Sequence, residues 1–534
     1  MNYCKVLTIT VLVFLGIVSS YAQSTVRTAG DYKRFVSLNP ALVRQNAANL
    51  TKLSIDRIAV VEGYAKKENG GLADYYQSDD CLGLGAYTES YYRFNPKIVF
   101  FGKLEFGYFT GNNMGGSAMF RPYSAPLNFV EFSADNAGKK NSETYNLVGG
   151  IGFDITSSLK LGVKVDYTAY NYSKTRDYRH SNSALDLIAS AGVTWVASDI
   201  FSAGLNYSYR RNVEEIKFNT FGTTEKLYYT LIDYGAFCGK IQESQAEGPV
   251  EKNDPKPLVD DYHGGALQLD FNWGDTKFYN ELSFNSRRGH YGQNSTSEIL
   301  YTTHFAFMAG YSGVLDVKKG RNRHRVALSG GWEFLQNNET LYEKTTKDGV
   351  TTVTYYGKNR VLDKTTINVS AGYTAYIGMD GYVPDWQVDV MFDGFSSTSQ
   401  VNVTYPFYRL QQLLSGEVNA LVLRNIVSGV NTFSPEVSLR YGMGGGDKAQ
   451  DLTYADPADK QKKPESMDLY LGRQWEYLTA PQISAGIGFR YSRMTKIGLE
   501  WYIKASYNFS KAFNCSYLSN DLRHKALLLV GFVF

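Results

Sequence analysis

Cysteine, histidine and long apolar runs are all scarce in this chain, and each scarcity closes off a class of explanation. Four cysteines in 534 residues do not make a disulfide framework. Cys4 lies near the N-terminus, and Cys81, Cys238 and Cys515 form an odd, scattered set that reads as isolated thiols. Among six histidines there is no His pair and no Cys–His spacing of the kind zinc needs, so neither a metal nor a cofactor is expected. Charge of one sign is lacking too. Lys and Arg total 55 against 52 Asp and Glu, a near-balance that argues against a nucleic-acid partner, which calls for a basic surface. The one continuous apolar run, Val6 to Val18, falls short of the ~20 residues a membrane helix requires.

That run has a different reading. It follows a short start with one cation, Lys5, and precedes Ser20-Tyr21-Ala22, which places small residues at −3 and −1 of a cut before Gln23. Residues 1–22 are therefore expected to be a cleaved signal peptide. No Cys follows the cut, so a lipid anchor is not expected.

What the chain has in abundance is aromatic residues and glycine: 42 Tyr, 30 Phe and 50 Gly. Strands rich in aromatics without a hydropathy peak are the signature of a transmembrane β-barrel. The alternation supports it. Tyr145, Leu147, Gly149, Ile151, Phe153 and Ile155 interleave with Asn146, Val148, Gly150, Gly152 and Asp154. After a tight turn, Leu159, Leu161, Val163, Val165 and Tyr167 interleave with Lys160, Gly162, Lys164 and Asp166. Period two, with charge on one face and aliphatics on the other, describes a strand with one wet side. Many strands run to about a dozen residues, longer than the ~5–6 usual in globular sheets. Short turns at 95–97, 156–158, 197–200, 274–276 and 493–496 alternate with long loops at 66–81, 111–142, 213–263, 287–301, 337–363, 444–481 and 509–523. Short periplasmic turns and long external loops are the asymmetry of outer-membrane barrels. The expected fold is an all-β, antiparallel up-and-down transmembrane barrel of about 18 strands over residues 53–534, with 16 as the fallback. The count is least certain between Trp386 and Leu423, where Pro406 and the run Leu410-Gln411-Gln412-Leu413-Leu414 break the alternation.

The ending carries a resemblance. Ala526, Leu528, Val530, Phe532 and Phe534 form an unbroken apolar row, with Lys525, Leu527, Leu529, Gly531 and Val533 opposite. This resembles the C-terminal signal of bacterial outer-membrane β-barrels, which ends in Phe with an aromatic two residues earlier. Phe532 and Phe534 would then be the barrel-closing signal read by the barrel-assembly machinery. Asn39-Pro40-Ala41, just before the first strand, resembles the end of the N-terminal hatch in the long-chain fatty-acid transporter family. The resemblance implies a plug-like segment over residues 23–52. In layout the whole chain resembles the uncharacterised single-barrel outer-membrane proteins of Bacteroidota, integral in outer-membrane lipid. Plugged 22-strand transporters are disfavoured, because only residues 23–52 precede the first strand.

No catalytic constellation stands out, and an enzyme is not expected. Asp260-Asp261-Tyr262-His263 near a strand end is the one set of residues that could hold a general base, and ordinary loop chemistry explains it equally. The lumen is a better lead. The inward rows are expected to carry Lys103, Glu105, Lys160, Lys164, Asp166, Arg210, Asp270, Glu281, Arg490, Glu500 and Lys504, together with Asp154, Asp186, Glu333, Asp389 and Lys496. The signs are mixed, which fits an aqueous channel or ion pairs bracing the wall, not a one-sign filter. The expected function is a channel or transporter for small solutes. The alternative is a surface binding or assembly protein whose loops, with Asp74-Tyr75-Tyr76 and Tyr355-Tyr356 among them, dock a lipoprotein, a polysaccharide or a partner barrel.

Overall fold

In the computed structural model, residues 32–221, 226–245, 248–250, 256–293 and 298–534 are described; the expected signal peptide lies outside them. Eighteen strands close an antiparallel barrel. They are β1 (Arg57–Asn69), β2 (Asp80–Asn95), β3 (Ile98–Met114), β4 (Gly138–Asp154), β5 (Leu159–Lys174) and β6 (Arg179–Val196). Next come β7 (Phe201–Asn219), β8 (Lys256–Asn272), β9 (Thr276–Gly292), β10 (Leu300–Lys319), β11 (Asn322–Lys347) and β12 (Val350–Ile377). The last six are β13 (Trp386–Val401), β14 (Phe407–Arg424), β15 (Asn431–Thr453), β16 (Gln482–Met494), β17 (Glu500–Ala512) and β18 (Leu522–Val533). Each pairs with its sequence neighbour, and β18 returns to β1 from Val60 opposite Val533 to Asn69 opposite His524. Phe534 and Ala59 exchange backbone hydrogen bonds at 3.0 and 2.7 Å, which finishes the seam. Closure leaves no unpaired edge, the condition for a sheet to live in hydrocarbon.

The alternation in sequence becomes two surfaces. Directly opposed residues share a face, so Leu205, Leu267 and Leu282 form one outward rung across β7, β8 and β9, and all three are exposed. The C-terminal apolar row points the same way: Leu528, Val530, Phe532 and Phe534 are exposed, while Arg523, Leu529 and Val533 of the opposite row are buried.

The doubtful stretch after Trp386 is a regular hairpin. Pro406 sits in the 402–406 connection, and a register shift between Leu410 and Gln412 against β15 accounts for the broken alternation. Residues 337–363, expected as a loop, are instead strand. β11 and β12 are 26 and 28 residues long and turn at Asp348-Gly349, against the ~9–11 residues that cross a bilayer. Loop length therefore does not alternate strictly: the external connections 175–178, 348–349 and 402–406 are as short as the periplasmic ones. The direction of the strands is unaffected.

The lumen is not empty. From the external side the connections 70–79 and 115–137, the described residues between 226 and 250, and residues 465–481 turn inward. Four short strands, Asn128–Glu131, Tyr228–Asp233, Cys238–Ser244 and Glu465–Ser466, pair into a second sheet. Its apolar side chains, among them Phe129, Tyr228 and Cys238, pack with Val250 on inward residues of the barrel: Ile216, Phe218, Leu258, Leu335, Leu362 and Val401. This is why the inward rows turn apolar near their external ends. From the periplasmic side, residues 32–52 enter as a six-residue helix, Tyr32–Ser37, and two 3₁₀ turns, Pro40–Val43 and Ala47–Lys52.

Candidate functional site

The periplasmic segment crosses from one wall to the far one. Tyr32 donates to Glu89 of β2, while Arg34 reaches Gln387 of β13 at 3.1 Å and Arg325 of β11 holds the Ser37 carbonyl. Strands two and eleven lie opposite each other in an eighteen-strand ring. The chain then returns. Asn39 caps its own helix through the Phe35 carbonyl at 2.8 Å, Pro40 opens the first 3₁₀ turn, and Ala41 is buried beside Leu42. Arg44 contacts Ser312 at 2.5 Å, and Asn46 bonds the Val193 carbonyl at 3.1 Å and Gln268 at 2.9 Å. Lys52 pairs with Asp270 at 2.8 Å.

Glycine makes this seat possible. A Cβ on Gly162 would overlap the Ala47 carbonyl carbon, and one on Gly152 would lie 2.6 Å from the Ala47 oxygen. The wall of β4 and β5 thus approaches the segment backbone to backbone.

All eleven lumen candidates lie on inward rows. Most are paired along the wall: Lys103 with Glu105 at 2.8 Å, Lys160 with Asp154 at 2.7 Å, and Arg490 with Glu500 at 3.3 Å. Lys504 pairs with Glu436 at 2.7 Å, Arg210 grips Asp186 through two bonds of 2.7 Å, and Asp166 accepts from Asn146 at 2.6 Å. Three meet the inserted segment instead: Lys164 donates to the Arg44 carbonyl at 3.3 Å, Glu281 faces Arg44 at 3.8 Å, and Asp270 holds Lys52. Lys496 is not on a strand but in the 495–499 turn.

None of the eleven lines the chamber beneath the external layer. That chamber, of about 620 Å³, lies on the β11–β18 side. Its charged groups are Asp393, Glu417, Arg440, Arg523 and Lys525, set among Ser329, Ser370, Ser415, Ser510 and Asn368. Arg440 pairs with Glu417 at 2.9 Å and reaches Ser484 at 3.1 Å; Asp393 accepts from Ser370 at 2.6 Å; Arg523 grips Glu68 at 2.8 Å. The sequence offered a signal for the last pair, since Arg523 and Lys525 begin the wet row of the final strand. The chamber is roofed by the helix Asp468–Thr479, whose Tyr477 and Leu478 line it. Gly444 lets that helix approach: a Cβ there would stand 2.9 Å from the Thr479 Cα. Glu476 fixes the helix to the last external connection by accepting from the backbone N–H groups of Ser516, Tyr517 and Leu518 at 2.6, 2.7 and 3.0 Å.

The external layer holds buried acids. Asp74 is wholly buried, accepting from the Tyr123 hydroxyl and the Tyr75 N–H, and burial pushes its carboxyl up to about 7. Asp233 caps the tight turn Gly235-Ala236-Phe237 by accepting from Gly235 N at 2.8 Å and Cys238 N at 3.2 Å, and burial raises it to about 6. Tyr75, expected as a surface aromatic, is therefore core, packed edge-on against Phe237 with ring centres 4.7 Å apart. Tyr356 is exposed as expected. The three cysteines are free. The candidate general-base cluster is split by the wall: Asp260 faces in, bound to Arg287 and His304 at 2.7 and 2.5 Å, while Asp261 and His263 face out against Tyr209 and Tyr207.

Several solved structures align along most of this chain. The ferric preacinetobactin receptor BauA from Acinetobacter baumannii aligns at 8% identity and a TM-score of 0.42, over 90% of this chain and 80% of that one. A mutant of the ferric enterobactin receptor PfeA from Pseudomonas aeruginosa aligns at 8% identity and 0.40, over 90% and 81%. The ferric citrate transporter FecA in its unliganded form aligns at 10% identity and 0.37, over 90% and 78%. No curated protein sequence matches the chain. A family profile covers residues 47–534, the whole barrel with the second 3₁₀ turn beneath it, and the chain belongs to that family of unknown function, DUF6850.

Proposed function

We propose that the chain is a gated outer-membrane transporter for a small polar solute, which rests in the chamber while inserted layers close the barrel around it. One observation carries this reading: a half-open cavity of about 620 Å³, lined by charged and hydroxyl side chains among apolar ones, lies in a barrel whose two ends are obstructed by separate parts of the same chain. An eighteen-strand barrel without fillings would be an open aqueous channel. The fillings are held differently. The external layer has a buried apolar core and forms a sheet with its own hydrogen bonds. Residues 32–52 form only a short helix and two 3₁₀ turns. They bury a smaller apolar set, Tyr32, Phe35, Leu42, Ala47 and Leu50, against Ile58, Val60, Tyr91 and Leu529 of the wall. Otherwise a few polar side chains and a glycine seat tie them, so they are the part more readily moved. Exit would therefore be to the periplasm, past Tyr32 and Lys33, which share a small cavity of about 80 Å³ with Glu62, Glu436, Arg490 and Lys504. Solute release from proteoliposomes tests this. The intact protein should release solutes of amino-acid or monosaccharide size slowly, and protein lacking residues 32–52 at least tenfold faster. Equal, solute-independent leakage in both would defeat the reading.

A second reading has one observation of its own. The β11–β12 hairpin stands beyond the other strands and exposes Val350 and Tyr356 near its tip. As a docking arm for a surface lipoprotein or polysaccharide it would lose its partner on deletion of residues 341–357, with the barrel intact. Recovery of the same partners by the shortened protein would exclude it.

A further inference from the structure

The outer wall carries a polar patch that neither the lumen nor the inserted layers use. Register assembles it from three strands. Asp261 on β8 lies directly opposite Arg211 on β7 and Arg288 on β9. One rung nearer the membrane, His263 lies opposite Tyr209 and Ser286; one rung above, Val259 lies opposite His290. The lumen row of β8 runs through Asp260 and Tyr262, so these side chains point outward. Arg211 reaches Asp261 at 3.1 Å and Tyr209 donates to Asp261 at 2.6 Å, so that carboxylate is already neutralised. Arg288 has no ion pair or hydrogen bond among the described residues.

Two depressions meet at His263. The upper, about 660 Å³, is lined by Asp261, Ser286, Arg288, His290 and Thr303. The lower, also about 660 Å³, is almost wholly apolar, walled by Leu161, Ala191, Val193, Leu205 and Tyr207 with Gly265 as its floor. The lower groove lies within the apolar band, and the upper begins where charged side chains first appear on the external side.

We propose that this surface seats one phosphate-bearing lipid of the outer leaflet, its phosphate on Arg288 with His290 beside it and one acyl chain in the groove over Gly265. The two halves argue together. A guanidinium without a carboxylate of its own matches a phosphate with two parallel N–H bonds, and a neutral imidazole adds a further donor. A soluble anion would leave the groove unused, and a neutral lipid would leave Arg288 unused. Bulk lipid is as apolar as the groove, so the headgroup supplies the selectivity.

Native mass spectrometry of the full-length protein in neutral detergent tests this, with phosphorylated lipid A and its dephosphorylated form as probes. One phosphorylated lipid per barrel is expected. Binding should fall at least tenfold in Arg288→Gln/His290→Gln, at least tenfold in Ala191→Trp, which fills the groove without touching the charges, and equally for the dephosphorylated probe. Lys462→Gln, a cation exposed on the distant external connection 454–481, should change nothing. Heat-modifiable gel migration reports that each variant is folded. Binding that is indifferent to the probe's phosphate, or undiminished in both groove and charge variants, overturns the proposal.

Discussion

Asp74 shows how a single buried carboxyl couples the external layer to pH. Nothing in its surroundings fully repays its lost hydration: Tyr123 and the Tyr75 N–H donate to it and Arg473 lies nearby, yet burial wins and lifts it to about 7. The folded layer therefore holds this proton more tightly than the unfolded chain does, and stability falls as pH rises from the ordinary carboxyl range toward 7. Ionisation costs the layer up to roughly 4 kcal/mol. Asp74→Asn, uncharged at every pH, should flatten this dependence. Pulse proteolysis of the external connections at pH 5 and pH 8 checks it: wild type should be the more protected at pH 5, and the variant should show little difference. Glu476 works in the opposite sense. Its carboxylate satisfies three backbone N–H groups that would otherwise be stranded, so Glu476→Ala should loosen residues 513–521 by about 2–3 kcal/mol. Faster amide exchange at Ser516, Tyr517 and Leu518, with the strands unchanged, is the expected result.

At the scale of the element, what the sequence displays is whatever must face lipid. Strands β4 and β5 were readable because hydrocarbon on one side and polar groups on the other force period two. The β11–β12 extension was not, because Glu343-Lys344-Thr345-Thr346-Lys347 stands in water on both faces and has no apolar row to show. The second sheet was hidden for a different reason: Tyr228–Asp233 and Cys238–Ser244 are short, and their partners come from distant connections. The helix Asp468–Thr479 did leave a trace, with Asp468 at its start and Tyr470, Leu471 and Gln474 buried at helical spacing. The inward rows named the wall charges, but sequence could not say which of them meet the chamber, since that depends on where the fillings stop. The glycine seat belongs here as well. Gly162→Val would drive its side chain into Ala47, so residues 46–52 should be displaced while β5 keeps its pairing. Protease added from the periplasmic side should cut the variant after Lys52 or Arg44 at least tenfold faster than wild type, with unchanged heat-modifiable migration. Equal cutting would mean that the segment is held without the seat.

For the molecule as a whole, the arrangement is one closure at each end of the lumen, and closures in series are informative because each can be blocked alone. The external layer is built like a small domain, with its own sheet and the larger apolar core, and the periplasmic segment like a strap with a smaller apolar contact on the wall, so movement of the strap is the cheaper step. The segment is held at a definite point: Asn46 Nδ2 stands 3.3 Å from Thr194 Oγ1 on β6. Asn46→Cys with Thr194→Cys, in a Cys515→Ser background, should oxidise to a bond that ties the strap to the wall. Cys81 and Cys238 are buried and stay out of the exchange. If solute passes only when the strap leaves, the oxidised protein should release solute from proteoliposomes at least tenfold more slowly than the same protein after reductant, and the reduced form should match or exceed wild type, since the Asn46 anchor is gone. Flux that ignores the oxidation state would place the path in the sector of β14–β17, beside the strap instead of through its seat. The chamber would then communicate with the periplasm by way of Glu436, Arg490 and Lys504 alone.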